Sequence, residues 1–288
     1  MTWIIGLGVA LVAAIAAVVV GLAAYGAARW ADSTKRLMLR LEGTRLPATT
    51  SRYDVHELDS LPAPVQRYFR AVLKDGQPVV SAVTVEHIGT FNLKQPGEQW
   101  KPFTSRQRVV TRRPGFVWNA RIAMVPGLNV FVHDAYVSGE GILNPTILGL
   151  FSLADPVEAG VLAQGEFVRF FAETAWYPTA LLPSQGVHWE AVDDRSARAT
   201  LEDEKVSVTM LVNFNGAGLI ESVRVAERAA MVGNAVVMTA WEGRMSNYQM
   251  RDGMLIPLTC EAAWLSPEGR APYWRGTISS LTYEFYKS

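Results

Sequence analysis

The sequence predicts a mainly β protein with helices, an α+β chain behind an N-terminal membrane-spanning helix, and three observations predict it. An uncharged apolar run opens the chain, the hydrophobic period changes from 3.6 to 2 after about residue 79, and one helical stretch interrupts the strands. These divide the 288 residues into an anchor at 1–28, a juxtamembrane helix and linker at 29–59, and a β-rich domain at 60–288 with a helical insertion near 145–185.

From Trp3 to Ala28 no side chain is charged. A helix rises about 1.5 Å per residue, so this run exceeds the roughly 20 residues a bilayer core requires. Its four glycines lower helix propensity in water, but in lipid the backbone has no other partner. No Lys or Arg precedes the run, and it is longer than the apolar core of a secretory signal, which favours a retained single-pass anchor over a cleaved one. Behind it come Arg29, Lys35, Arg36, Arg40 and Arg45 against Asp32 and Glu42. The positive-inside rule places the β-rich domain on the cytoplasmic side.

Residues 61–74 read as an amphipathic helix with Ser60 as cap, early prolines, apolar positions at 61, 65, 68, 69, 72 and 73, and Gly76 and Pro78 as stops. Alternation then marks strands near 79–93, 100–112, 116–125, 128–138, 187–192, 196–201, 205–214, 219–227, 236–248, 254–264 and 273–286. Their short connections imply antiparallel pairing, because a parallel crossover takes a dozen or more residues. Between the two groups, Asp155-Pro156-Val157-Glu158 has the form of a helix start, and apolar spacing continues to Trp176 before Pro178. Such a helix buries its stripe only by lying across the sheet. The expectation is a curved antiparallel sheet, or half-open barrel, of about eleven strands with helices on its concave face.

Lys plus Arg and Asp plus Glu are 27 each, which gives no electrostatic case for a nucleic-acid partner. With 49% hydrophobic residues and nine Trp, the chain is neither disordered nor a coiled coil. One cysteine, Cys260, forms no internal disulfide and no cysteine zinc site; in its apolar strand it reads as a small hydrophobe. No phosphate loop, nucleophile elbow or zinc helix motif occurs, so no cofactor is called. The histidines His56, His87, His133 and His188 are scattered, and no metal ligands are assigned. His133 and Asp134, adjacent on a strand, point to opposite faces.

Two helices cover only part of so many strands, which leaves a groove lined by aromatic residues; the plainer reading packs the same aromatics as core. The candidate lining is Trp118, Tyr136, Arg169, Phe170, Glu173, Trp176, Tyr177, Trp241 and Trp264. Arg169 and Glu173 stand four apart on one helix face, either as a solvated ion pair or as a pair turned into the groove to hold a polar head. In strand 116–125, Phe116, Trp118, Ala120, Ile122 and Met124 share a face opposite Asn119 and Arg121. In the last strand Tyr273 and Trp274 fall on opposite faces.

The text Glu173-Thr174-Ala175-Trp176-Tyr177-Pro178-Thr179-Ala180-Leu181-Leu182, followed by Val187-His188-Trp189-Glu190 and preceded by Pro114-Gly115-Phe116-Val117-Trp118 and Asp134-Ala135-Tyr136-Val137-Ser138-Gly139-Glu140-Gly141, resembles a bacterial family of unknown function with an N-terminal membrane segment. The resemblance runs from about residue 60 to the end and brings no catalytic residues. The strand series with one inserted helix is also similar in architecture to the open barrels of periplasmic lipoprotein carriers, an analogy that puts the domain outside the cytoplasm. The leading expectation is a membrane-tethered, non-catalytic domain that binds a membrane lipid or other apolar molecule. The alternatives are an enzyme acting on a lipid or envelope component through Asp134, Arg169, Glu173 or Glu261, which requires two of these in one pocket, and a structural or partner-binding module. Oligomeric state is not read from the sequence.

Overall fold

The computed structural model describes residues 2–47, 49–93, 97–125, 127–153, 158–232 and 235–287. The apolar run does not stop where its apolar character does: α1 is one helix, Thr2–Glu42, with the juxtamembrane segment as its second half. It is long and apolar enough to cross a membrane by length and composition. A short 3-10 turn, Val55–Leu58, leads into α2 (Ala63–Val72). Ser60 is not its cap; the helix starts after Pro62 with Pro64 in its first turn, where a missing N–H costs nothing.

The strands are β1 (Val80–Asn92), β2 (Trp100–Val110), β3 (Gly115–Val125), β4 (Leu128–Val137), β5 (Glu140–Ile147) and β6 (Phe151–Ser152), then β7 (His188–Asp193), β8 (Ser196–Asp203), β9 (Val206–Phe214), β10 (Ile220–Val232), β11 (Ala235–Arg251), β12 (Met254–Ser266) and β13 (Gly269–Phe285). All thirteen form one antiparallel sheet ordered β6-β5-β4-β3-β2-β1-β13-β12-β11-β10-β9-β8-β7. Two meanders are thus joined where β13 pairs with β1, and the outer strands β6 and β7 are not paired with each other, so the sheet curves without closing. Of the two strands beyond the expected eleven, β5 lies mostly between the expected strand at 128–138 and the helical insertion near 145–185, and β6 lies within that insertion. β5 alternates poorly, with Gly141, Asn144 and Pro145 in eight residues, and its pairing with β4 overrides that local text.

The chain passes from one open edge to the other through α3 (Ala159–Glu173) and three 3-10 turns, Thr174–Trp176, Pro178–Leu181 and Pro183–Gln185. The cap signal at Asp155-Pro156-Val157 lies outside the described residues. Phe167, Phe170 and Phe171 of α3 are buried with Tyr68 and Phe69 of α2 and the concave side of the sheet. The opposite face carries a separate cluster: Leu41 packs with Ala82, Val110, Val117, Ala135 and Val137. The second half of α1 therefore lies on the convex face, and the helices cover both sides of the sheet rather than the concavity alone.

Polar contacts fix this docking. Trp30 stacks on His133 with ring centroids 3.6 Å apart and donates to Asn119 at 3.0 Å, Thr34 meets His133 Nε2 at 2.7 Å, and Arg108 bridges Glu42 and Glu284 at 2.6 Å each. Leu41 thus sits at Gly115, Trp30 at Asn119 and Gly26 against Leu148, so α1 runs toward the end of the sheet that bears the turns after β1, β3, β5, β10 and β12. Leu93, Val125, Phe151, Val237 and Met238 are exposed at that same end.

Candidate functional site

Alternation along β3 aims Trp118 inward while its neighbours Val117 and Asn119 face α1. On β4 the same rule sends His133 to the convex face and Asp134 to the concave one, where it meets Arg169 at 2.5 Å. On α3, Gly165, Glu166, Arg169, Ala172 and Glu173 recur at helical spacing and form a face turned away from the buried phenylalanines. Between this face and β10–β13 lies a cleft of about 480 Å³. Its walls are Phe91, Leu93, Trp118, Leu143, Val161, Leu162, Trp176, Trp241, Met245, Trp264, Tyr273 and Trp274. That volume is in the lower half of the range usual for small-molecule pockets, roughly 300–1,000 Å³, and mostly apolar walls with a few convergent polar groups are the usual makeup of such a site.

Six of the expected lining residues reach the cleft: Trp118, Arg169, Glu173, Trp176, Trp241 and Trp264. Tyr136, Phe170 and Tyr177 do not. Tyr136 stacks on Phe167 and donates to Asp203 at 2.8 Å, and Tyr177 donates to the Phe170 carbonyl at 3.3 Å, so all three are packed interior. Their aromatic signature is the same as that of the cleft walls; which side of α3 each occupies decides the matter.

The polar floor is a network. Arg169 donates Nε to Glu173 (2.8 Å), one terminal nitrogen to Asp134 and the other to Gln107 (3.1 Å), with its guanidinium over the Phe116 and Trp118 rings at 4.9 and 4.7 Å. Gln107 also donates to Glu173 at 2.5 Å. The pair faces the cleft, and each guanidinium nitrogen of Arg169 has a partner in the protein. Removing one partner of such a buried pair typically costs about 3–5 kcal/mol. Glu166, which sequence reasoning passed over, is buried beside Asp134 within hydrogen-bonding reach, and among the described residues neither Glu166 Oε2 nor Asp134 Oδ1 meets any other donor. Burial, then the Asp134 charge, holds the Glu166 carboxyl well above the usual carboxylate range, so one proton carried by Glu166 joins the two. Burial pushes the Cys260 thiol up to about 12, and it accepts from Trp176 Nε1 at 3.2 Å.

Arg228 is the other missed residue. Strict alternation from Val223 and Val225 aims Glu227 inward and Arg228 out. The pairing slips between Val225 and Arg228, where Ala226 and Glu227 oppose Ala240 alone, and this β-bulge turns Arg228 into the cleft. A second bulge, between Ala262 and Ala263 opposite Pro272–Trp274, brings both Tyr273 and Trp274 to the cleft side, where alternation separates them. A break in apolar alternation is visible near each bulge, but it does not say which residue is extra. Among the described residues no group of three His, Cys, Asp or Glu is placed to hold a metal ion.

Of solved structures, the chain is similar to a LolA superfamily protein from Nitrosomonas europaea, at 11% identity over 78% of this chain and 96% of that one, with a TM-score of 0.32. No curated protein matches the chain. The model of a family of unknown function, DUF6920, matches residues 59–283, and the chain belongs to that family.

Proposed function

We propose that this protein is a membrane-tethered, non-catalytic domain that holds an apolar, lipid-like molecule in the cleft of its half-open sheet. The observation that carries this reading is the cleft itself: about 480 Å³, walled by indoles and aliphatic side chains, at the end of the sheet toward which α1 runs. Phe91, Leu93 and Trp264 line it near the turns of that end, close to the exposed apolar residues there, which supports a mouth on the bilayer side. The continuous α1, with Trp30 and Leu41 buried on the convex face, supports a retained anchor.

The test uses the full chain, because cutting it before residue 45 strips those two buried side chains from the sheet. Protein released from membranes in a mild detergent is measured by native mass spectrometry. An apolar molecule is expected to co-purify and to be lost from Ala262→Trp, which fills the cleft. A protein that carries no such molecule and binds no added long-chain alcohol refutes the reading.

A second reading, an enzyme acting on a lipid, is favoured by one observation: Asp134, Arg169, Glu173 and Glu261 all line the same cleft. The Glu166–Asp134 pair then supplies a proton to a bound substrate, the task of a general acid with a raised pKa. On this reading Glu166→Gln abolishes turnover of the co-purifying molecule while leaving it bound; identical product formation by that variant rejects it.

A further inference from the structure

We infer that the cleft contains a dedicated anion subsite, formed by Arg228 and Tyr273, that takes the carboxylate or phosphate head of a single-chain amphiphile. This rests on the reading of the cleft as a lipid-like binding site and names the head group of its ligand.

Arg228 is only 8% exposed, yet among the described residues no carboxylate oxygen lies within the 4.0 Å of a salt bridge. Its Nε donates to the Gly165 carbonyl at 3.1 Å and one terminal nitrogen to the Tyr273 hydroxyl oxygen at 3.1 Å. The guanidinium lies over Trp241 and Trp264 at 5.2 and 5.7 Å from the ring centroids. Such a charge is costly to bury without a counter-ion. The Tyr273 oxygen also accepts from Trp241 Nε1 at 2.9 Å, so both of its lone pairs are used and its own proton remains to be donated; among the described residues no acceptor meets it. The remaining Arg228 nitrogen and this hydroxyl therefore form a donor-only pair in an apolar cleft, which matches an anion and excludes a cation.

The nearby acids do not fill the role. Asp134 and Glu173 are engaged by Arg169, Glu166 shares its proton with Asp134, and Glu261 is held by Arg270 and Arg275. The two residues reach the cleft only because a β-bulge re-aims each strand, and bulges concentrate at such sites.

Full-length protein in detergent, stripped of bound molecules, is titrated with hexadecanoate, hexadecyl phosphate and hexadecan-1-ol, read by native mass spectrometry and by tryptophan fluorescence. At least one anion is expected to bind roughly tenfold or more tighter than the alcohol, the size of one charge-assisted contact. The tighter anion identifies the head as carboxylate or phosphate. In Arg228→Gln the three probes converge on the affinity of the alcohol, while Arg228→Lys retains a preference for the anion. If the parent binds all three alike, the anion subsite is refuted and the apolar cleft stands. If none binds, both fall. Should Arg228→Gln not fold, the parent comparison and the lysine variant still decide.

Discussion

Two buried titrating groups work in opposite directions on stability. Glu166 has a folded-state pKa well above its unfolded value of about 4.3, so the folded chain holds more protons in between. Its contribution is complete at acid pH and is lost as pH climbs through the raised value, at about 1.4 kcal/mol per pH unit inside that window. Glu166→Gln keeps the hydrogen bond to Asp134 without the ionisation. Its melting temperature is therefore expected to gain on the parent as pH rises from the ordinary carboxylate range toward the raised value; a constant difference across the accessible pH range contradicts the shared proton. His133 runs the other way. Burial against Trp30 lowers it from an ordinary 6.5 to about 4, so the unfolded chain takes up the proton first and stability declines as pH falls below about 6.5. Replacing it in His133→Gln should give a shallower acid limb in melting temperature against pH, and an unchanged limb means that His133 is protonated in the fold.

At the scale of elements, α1 is both a candidate membrane span and a structural cover for the convex face. Its closest approach is at Gly26, where a Cβ atom would stand 1.9 Å from the Leu148 carbonyl oxygen, in the turn where Gly149 takes a φ of +69°. Backbone contact of this kind cannot relax by a rotamer change. Gly26→Val is expected to push the turn away and raise hydrogen exchange across 143–153, which includes cleft-lining Leu143, with little change in β8 and β9. Equal protection in parent and variant would mean that α1 does not seat there. The asymmetry of α3 follows from its periodicity: phenylalanines at 167, 170 and 171 anchor it to the core, leaving Glu166, Arg169 and Glu173 on the cleft side.

For the molecule as a whole, the proposed reading has the direction of α1 relative to the turns orient the cleft toward the bilayer. A fluorophore on Phe151→Cys, reconstituted in lipid nanodiscs, should be quenched by brominated acyl chains, whereas one on Lys74→Cys, beyond the far end of the sheet, should not. Cys260 does not compete for the label at neutral pH, since its buried thiol titrates near 12. Quenching at neither position refutes the orientation. An open sheet also leaves the unpaired edges of β6 and β7 exposed, a liability that both keep small by being short.

Periodicity alone determined the span-length apolar helix, the antiparallel meanders, the inserted helix and the division of His133 from Asp134, because alternation and helical spacing are local and survive in the text of one chain. It also delivered Trp118, Trp176, Trp241 and Trp264 to the cleft. Only the tertiary structure decided that β5 and β6 extend the sheet, that α1 continues onto the convex face, and that Tyr136, Phe170 and Tyr177 are core. The same holds for Arg228 and Tyr273. A β-bulge shifts register by a residue that pairing with the neighbouring strand selects, so which side chain it turns inward depends on a partner many residues away.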